Sequence, residues 1–133
     1  MIKLILFCSI SLSTLFAFED LTLENFEEKT AGKKVILDFY TVGWSACEDL
    51  GVSLTTYNTS KKEDIYIYKI DMLVQKELAQ EFSVKVLPTL IYFKDDEIIE
   101  RELGRKTPLQ IKRSVNKYLI NNNWFLTIKL RLI

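Results

Sequence analysis

Residues 35 to 47 read Val35-Ile36-Leu37-Asp38-Phe39-Tyr40-Thr41-Val42-Gly43-Trp44-Ser45-Ala46-Cys47. The first six form a near-continuous apolar run of branched and aromatic side chains, broken only by Asp38, which suits a strand buried on both faces in a sheet covered by helices. A second such run is Ile65-Tyr66-Ile67-Tyr68-Lys69-Ile70. Between the two, Cys47 to Ser60 is expected to supply the crossover helix of a βαβ unit. Gly51 and the run Thr55-Thr56-Tyr57-Asn58-Thr59-Ser60 are weak helix formers, so a short helix is expected there.

Working outward, Lys76 to Phe82 places Leu78 and Phe82 four apart, the spacing of one helical face. Pro88 then interrupts, and Thr89-Leu90-Ile91-Tyr92-Phe93 has strong strand propensity. Asp95-Asp96 makes a turn from which Ile98 to Leu103 returns as the second arm of a hairpin. A last helix begins at Thr107: Pro108 takes the first helical position and Gln110 stands three after the threonine, which together form a capping box. Ile111, Val115, Tyr118 and Leu119 give that helix one apolar stripe, and the Asn121-Asn122-Asn123 run is expected to stop it. Upstream, Thr22 to Lys29 reads as a short helix. The fold class is therefore α/β, a mixed sheet flanked by helices, with a βαβ half followed by a ββα half in a single domain spanning 18–120.

With 133 residues, 48% hydrophobic and 27% charged, the chain is long and apolar enough to build one folded core. It contains no histidine, which removes Ser-His-Asp and Cys-His machinery, histidine metal sites and any imidazole acid or base. Two cysteines, Cys8 and Cys47, are too few for a zinc finger, an iron–sulfur cluster or a disulfide scaffold, so neither metal nor cofactor is expected. Formal charges balance at 18 against 18, and nothing overall argues for nucleic acid. Their distribution is uneven, net −8 over residues 19–100 and net +7 over residues 101–133.

The opening Met1-Ile2-Lys3 followed by apolar Leu4 to Ala17 has the pattern of a secretory signal peptide, residues 1–17, with cleavage after Ala17. It is too short to span a bilayer. Removing it removes Cys8 and leaves Cys47 as the one thiol of an exported protein, periplasmic in a diderm bacterium or secreted. At the other end, residues 121–133 form an extension whose alternation of Trp124, Leu126, Ile128, Leu130 and Leu132 with polar residues reads as an extra amphipathic strand.

Asp38-Phe39-Tyr40, Gly43-Trp44-Ser45-Ala46-Cys47, Val86-Leu87-Pro88-Thr89 and Gly104, in this element order, resemble the thioredoxin family over roughly residues 19 to 120. In that family a hydrophobic strand ending in Asp-Phe-aromatic runs into Trp-Cys-Gly-Pro-Cys, followed by an apolar-Pro-Thr strand start and a glycine beyond a hairpin. Laid without gaps from Asp38, the resemblance puts Trp44 at the attacking cysteine and Cys47 at the resolving one. It makes Asp38 the buried carboxylate beneath Cys47, and Trp44, Leu87, Pro88 and Thr89 an apolar surface for extended peptides. It also implies protein thiols and disulfides as partners.

Thioredoxin chemistry needs two sulfurs three residues apart, one to attack and one to resolve the mixed disulfide. Indole cannot replace a thiolate, so dithiol exchange is expected to be impaired. Three readings follow: a thiol–disulfide oxidoreductase relative with a degenerate site, a non-catalytic binding module using the Trp44/Pro88 groove, or single-thiol chemistry at Cys47. Each residue also has a plainer reading. Cys47 is a small buried residue at a helix start, Asp38 a carboxylate bonded to water or to Lys69, and Pro88 a residue that shapes the turn into its strand. Glu48 and Asp49, directly after Cys47, are expected to oppose its thiolate.

Overall fold

The structure, a computed structural model, describes residues 18–121 and 131–132. The expected leader, with Cys8, and nearly all of the expected C-terminal strand lie outside the described residues. β1 (Lys34–Tyr40) is the central strand: its inner five residues are all buried, as the uninterrupted apolar run requires. It pairs in parallel with β2 (Tyr66–Asp71) and antiparallel with β3 (Thr89–Lys94), which pairs antiparallel with β4 (Glu97–Leu103), so the order is β2-β1-β3-β4. Asp95 and Asp96 both take positive φ, 51° and 61°, in the two-residue turn between β3 and β4.

Side chains alternate across a strand, and the alternation of β1 builds two cores. Val35, Leu37 and Phe39 pack with Leu78, Phe82 and Phe93 on the side of α1 (Phe26–Thr30) and α3 (Lys76–Glu81). Ile36 packs with Leu50, Leu54 and Tyr57 of α2 (Ser45–Ser60) and with Ile111 and Val115 of α4 (Pro108–Val115) on the other. Asp38 and Tyr40 share the side of Ile36, and Lys69 on β2 shares that of Ile67. These three polar side chains therefore lie on the face that α2 covers.

Two expectations about helices are corrected. α2 is not short, because it runs for 16 residues. Cys47, Leu50, Leu54 and Tyr57 recur at helical spacing and are all buried, so tertiary packing outweighs weak propensity. The hydroxyls that weaken it also close on it, since Thr55 donates to the Gly51 carbonyl at 2.9 Å and Thr56 to that of Val52 at 3.1 Å. α1 starts at Phe26 rather than Thr22, because Thr22 and Asn25 cap one another's backbone: Thr22 N–H donates to Asn25 Oδ1 and Asn25 N–H to Thr22 Oγ1.

The start of α4 is as read. Thr107 N–H donates to Gln110 Oε1 at 2.8 Å and Gln110 N–H to Thr107 Oγ1 at 3.2 Å, with Pro108 opening the helix. The helix continues into a π-helical turn, Asn116–Ile120, that keeps Leu119 buried. At the edges of the sheet, the segment before α1 hydrogen-bonds β2, with Leu21 N–H donating to the Lys69 carbonyl and Lys69 N–H to that of Glu19. β4 is the opposite edge and carries Glu97, Glu100, Arg101 and Glu102.

Candidate active site

β1 ends at Tyr40, and the chain must turn sharply to start α2 above the sheet. Gly43 makes this possible with φ of +87°, a value strained for residues with a side chain. Trp44 is then the N-cap residue, extended at φ −98° and ψ 119°, its carbonyl accepting from Glu48 N–H at 3.1 Å. Its indole cannot cap the helix and is 57% exposed. One turn on, Cys47 is only 5% exposed.

Burial pushes the Cys47 thiol up, opposed by a hydrogen bond from the Thr41 backbone; the charge of Asp38 adds to the rise, Lys69 opposes it and Glu48 contributes least. The expected role of Glu48 and Asp49 in opposing the thiolate is therefore secondary to burial. Asp49 is also engaged elsewhere: Arg105 Nε donates to its Oδ2 at 2.7 Å, while Arg105 Nη2 reaches Ser45 Oγ at 3.1 Å. Both members of that ion pair are exposed, so it fastens the loop after β4 to α2 only weakly.

Asp38 is fully buried, and neither carboxylate oxygen has a hydrogen-bond partner among the described residues. Burial lifts its pKa from 3.8 to about 7, tempered by the charge of Lys69 and reinforced by that of Asp20. Lys69 stands opposite Asp38 in the β1–β2 register. Of the two partners read for Asp38, water or Lys69, the lysine makes no hydrogen bond to it: its ammonium lies 3.8 Å from the ring centre of Tyr40, over its face. The Tyr40 hydroxyl in turn donates to Asp20 Oδ1 at 2.8 Å.

The Leu87–Pro88 bond is cis, and the Pro88 carbonyl accepts from Gly104 N–H at 2.9 Å. Gly104 has φ of +81°. Of the four residues read as a peptide-binding surface, only Trp44 is exposed. Leu87 is half-buried, Pro88 and Thr89 are buried, and the Thr89 hydroxyl donates to the Val86 carbonyl. The strand start is folded inward because Thr89 already pairs with Phe39 and Leu103.

Other apolar side chains near Trp44 are exposed as well. Val42 follows β1, Leu73 and Val74 follow β2, and Val86 precedes β3; all are exposed, Val42 at 78% and Leu73 at 67%. Since β2 is parallel to β1 and β3 antiparallel, these loops meet at one end of the sheet, the end that holds Trp44. The one available signal in the sequence was apolar residues placed just outside strand ends, where polar turn residues are usual.

Among the described residues no group of histidine, cysteine and acidic side chains is placed to hold a metal ion, and no helix is long and apolar enough to cross a membrane. Comparison with known proteins bears on the whole assembly. The thioredoxin family model matches residues 17–117. Thioredoxin from Bacillus subtilis is 29% identical over 98 residues, covering 74% of this chain and 94% of the relative. Thioredoxin from Chlamydia trachomatis is 30% identical over 95 residues, covering 71% and 92%. Among solved structures, thioredoxin from Malassezia sympodialis aligns with a TM-score of 0.68 at 22% identity over 77% of this chain and 90% of that one, a likeness of fold.

Proposed function

The chain belongs to the thioredoxin family, and from that premise we propose that it is an exported member that has lost dithiol exchange and holds extended polypeptide segments at the Trp44 end of the sheet. Residues 1–17 serve as its cleaved leader, 18–120 as the working domain, and 121–133 as an appended segment. The carrying observation is the exposed indole of Trp44 at the head of α2, three residues before a buried Cys47. A thiol at position 47 without one at position 44 has no partner with which to complete a redox cycle.

Exposed Val42, Leu73, Val74 and Val86 support binding as the surviving activity, since exposed apolar clusters on small domains mark interaction surfaces. Partners are then protein segments rich in apolar side chains, including those that carry thiols or disulfides.

The test has two arms. Purified protein should reduce insulin no faster than the uncatalysed background, and Trp44→Cys should raise the rate by about tenfold or more by restoring the pair. Adding unfolded, disulfide-free polypeptide should shift the tryptophan fluorescence of the wild type, and Trp44→Ala should remove the shift although Trp124 remains. Robust insulin reduction by the wild type, or a shift that survives Trp44→Ala, overturns the reading.

A further inference from the structure

On the face of the sheet away from α2, a pocket of about 470 Å³ opens between α1, α3 and the β3–β4 hairpin. Its floor is aromatic. Phe26 of α1, Phe82 at the end of α3 and Phe93 of β3 each touch the other two edge to face, with ring centres 5.3, 5.7 and 5.8 Å apart. Phe93 stands opposite Val35, near the start of β1, whereas Trp44 follows the end of that strand. The pocket therefore lies at the opposite end of the sheet from Trp44 and on the opposite face from Cys47.

A bulge in β4 completes the floor. The register shift between Tyr92 and Phe93 sets Ile98 opposite Phe93 and leaves Ile99 packed against the core on the α2 side. Ile98 is exposed beside the rings. The Thr30 hydroxyl in the wall donates to the Phe26 carbonyl at 2.9 Å, so its proton is already spent and the inner surface offers a ligand mainly apolar contact.

The rim is anionic. Glu27 of α1, Glu81 of α3 and Asp96 of the hairpin turn come from three separate elements, and no lysine or arginine lines the pocket among the described residues. None of the three carboxylates has an ion-pair partner among the described residues. The one cation of α1, Lys29, pairs with Glu19 at 3.1 Å, and the one cation of β4, Arg101, places Nη1 on the Phe82 carbonyl at 2.8 Å. α3 carries its one cation, Lys76, at the end opposite Glu81. Glu81 closes α3, where the helix dipole opposes a carboxylate, so helix stability does not explain its place. Asp96 is held in the two-residue turn at φ of 61°.

We propose that this pocket binds a small organic cation: an ammonium on an aromatic or branched apolar body, the body resting on the three rings and Ile98, the ammonium among Glu27, Glu81 and Asp96. Charge complementarity selects this occupant. A neutral apolar ligand leaves three carboxylates around one opening without compensation, and an anion adds a fourth negative charge. The ring faces add a further attraction for an ammonium, and the volume is that of an ordinary small-molecule site. Binding is non-covalent and does not depend on what the Trp44 end holds.

The experiment titrates full-length, isotope-labelled protein with phenethylammonium, phenethyl alcohol and phenylacetate, followed by amide chemical shifts. The three probes are alike in size and are cationic, neutral and anionic. At low salt the expected Kd is about 1 mM for the cation and about 10 mM for the alcohol, the latter the ordinary affinity of a ligand with about nine non-hydrogen atoms. Phenylacetate binds more weakly than either. Shifts centre on Phe82, Phe93 and Ile98, and at about 0.5 M salt the cation keeps only about a threefold advantage.

Glu81→Gln combined with Asp96→Asn should cut the preference for the cation to about twofold and leave the affinity for the alcohol unchanged. Both side chains are exposed, so the fold tolerates the change. Ile98→Lys sets a competing ammonium beside the rings and should weaken phenethylammonium by about tenfold. Equal affinities for cation and alcohol, a preference that survives the double substitution, binding unaffected by Ile98→Lys, shifts centred on Trp44, or no shift at about 20 mM amine would each overturn the proposal. So would a concentration-dependent dimer that the amine dissociates, which would give the pocket to a second copy of the chain.

Discussion

Two carboxylates occupy one row across the sheet. Asp38 on β1 stands opposite Leu90 on β3, which stands opposite Glu102 on β4. Both acids face the side of α2 and α4, yet their surroundings are opposite. Glu102 accepts from the Tyr92 hydroxyl at 2.8 Å and from the Ser114 hydroxyl at 2.8 Å, one donor for each oxygen, and so joins β3, β4 and α4. Asp38 has no such donor among the described residues and is the deeper of the two. A satisfied carboxylate organises its neighbours; an unsatisfied one holds its proton and destabilises the fold once that proton is lost.

The sharpest way to break this contrast is to remove the charge at Asp38. Its pKa lies at about 7 in the fold against 3.8 unfolded, so it is a raised carboxylate whose contribution to stability is intact below about 4 and lost as pH rises through about 7. Asp38→Asn should therefore raise the unfolding free energy at pH 8 by roughly 4 kcal/mol, with the gain shrinking towards zero below about pH 4. Urea titrations at the two pH values measure it. A gain that did not depend on pH would mean that packing, not charge, distinguishes Asp38.

Next in size is the donor side of Glu102. Tyr92→Phe keeps the ring in the core and deletes only the hydroxyl, at a cost of about 1–2 kcal/mol in the same titration at pH 7. A smaller loss is expected from Ser114→Ala, about 1 kcal/mol, because Ser114 is only half-buried and water can replace it. If Tyr92→Phe proved neutral, the Glu102 cluster would be no better satisfied than Asp38.

Most of the fold was legible in the chain because its signals are local. The apolar runs of β1 and β2, the Asp95-Asp96 turn and the Thr107/Gln110 cap each depend on residues close in sequence, and each is found where the pattern places it. The length of α2 was not legible, since Leu50, Leu54 and Tyr57 gain their stabilisation from Ile36, Ile111 and Val115, which are distant in the chain. The candidate site divides the same way. Gly43, Trp44 and Cys47 are located by one turn, whereas the exposure of Val86 rather than Pro88 follows from how β3 docks on two other strands. The place of Lys69 on the Tyr40 ring could not be read at all, because a register opposite Asp38 equally permits an ion pair.

The two margins of the sheet bear on how the folded protein avoids joining its own copies. On the β2 margin the chain spends its first described residues on the backbone of Lys69, through Glu19 and Leu21, so a foreign strand meets the middle of that margin already in use. The β4 margin is guarded by charge: three glutamates and an arginine in seven residues make stacking of identical copies repulsive and wet. A sheet with such aromatic, branched strands in its middle is thus kept finite by two different devices, self-coverage on one side and electrostatic refusal on the other.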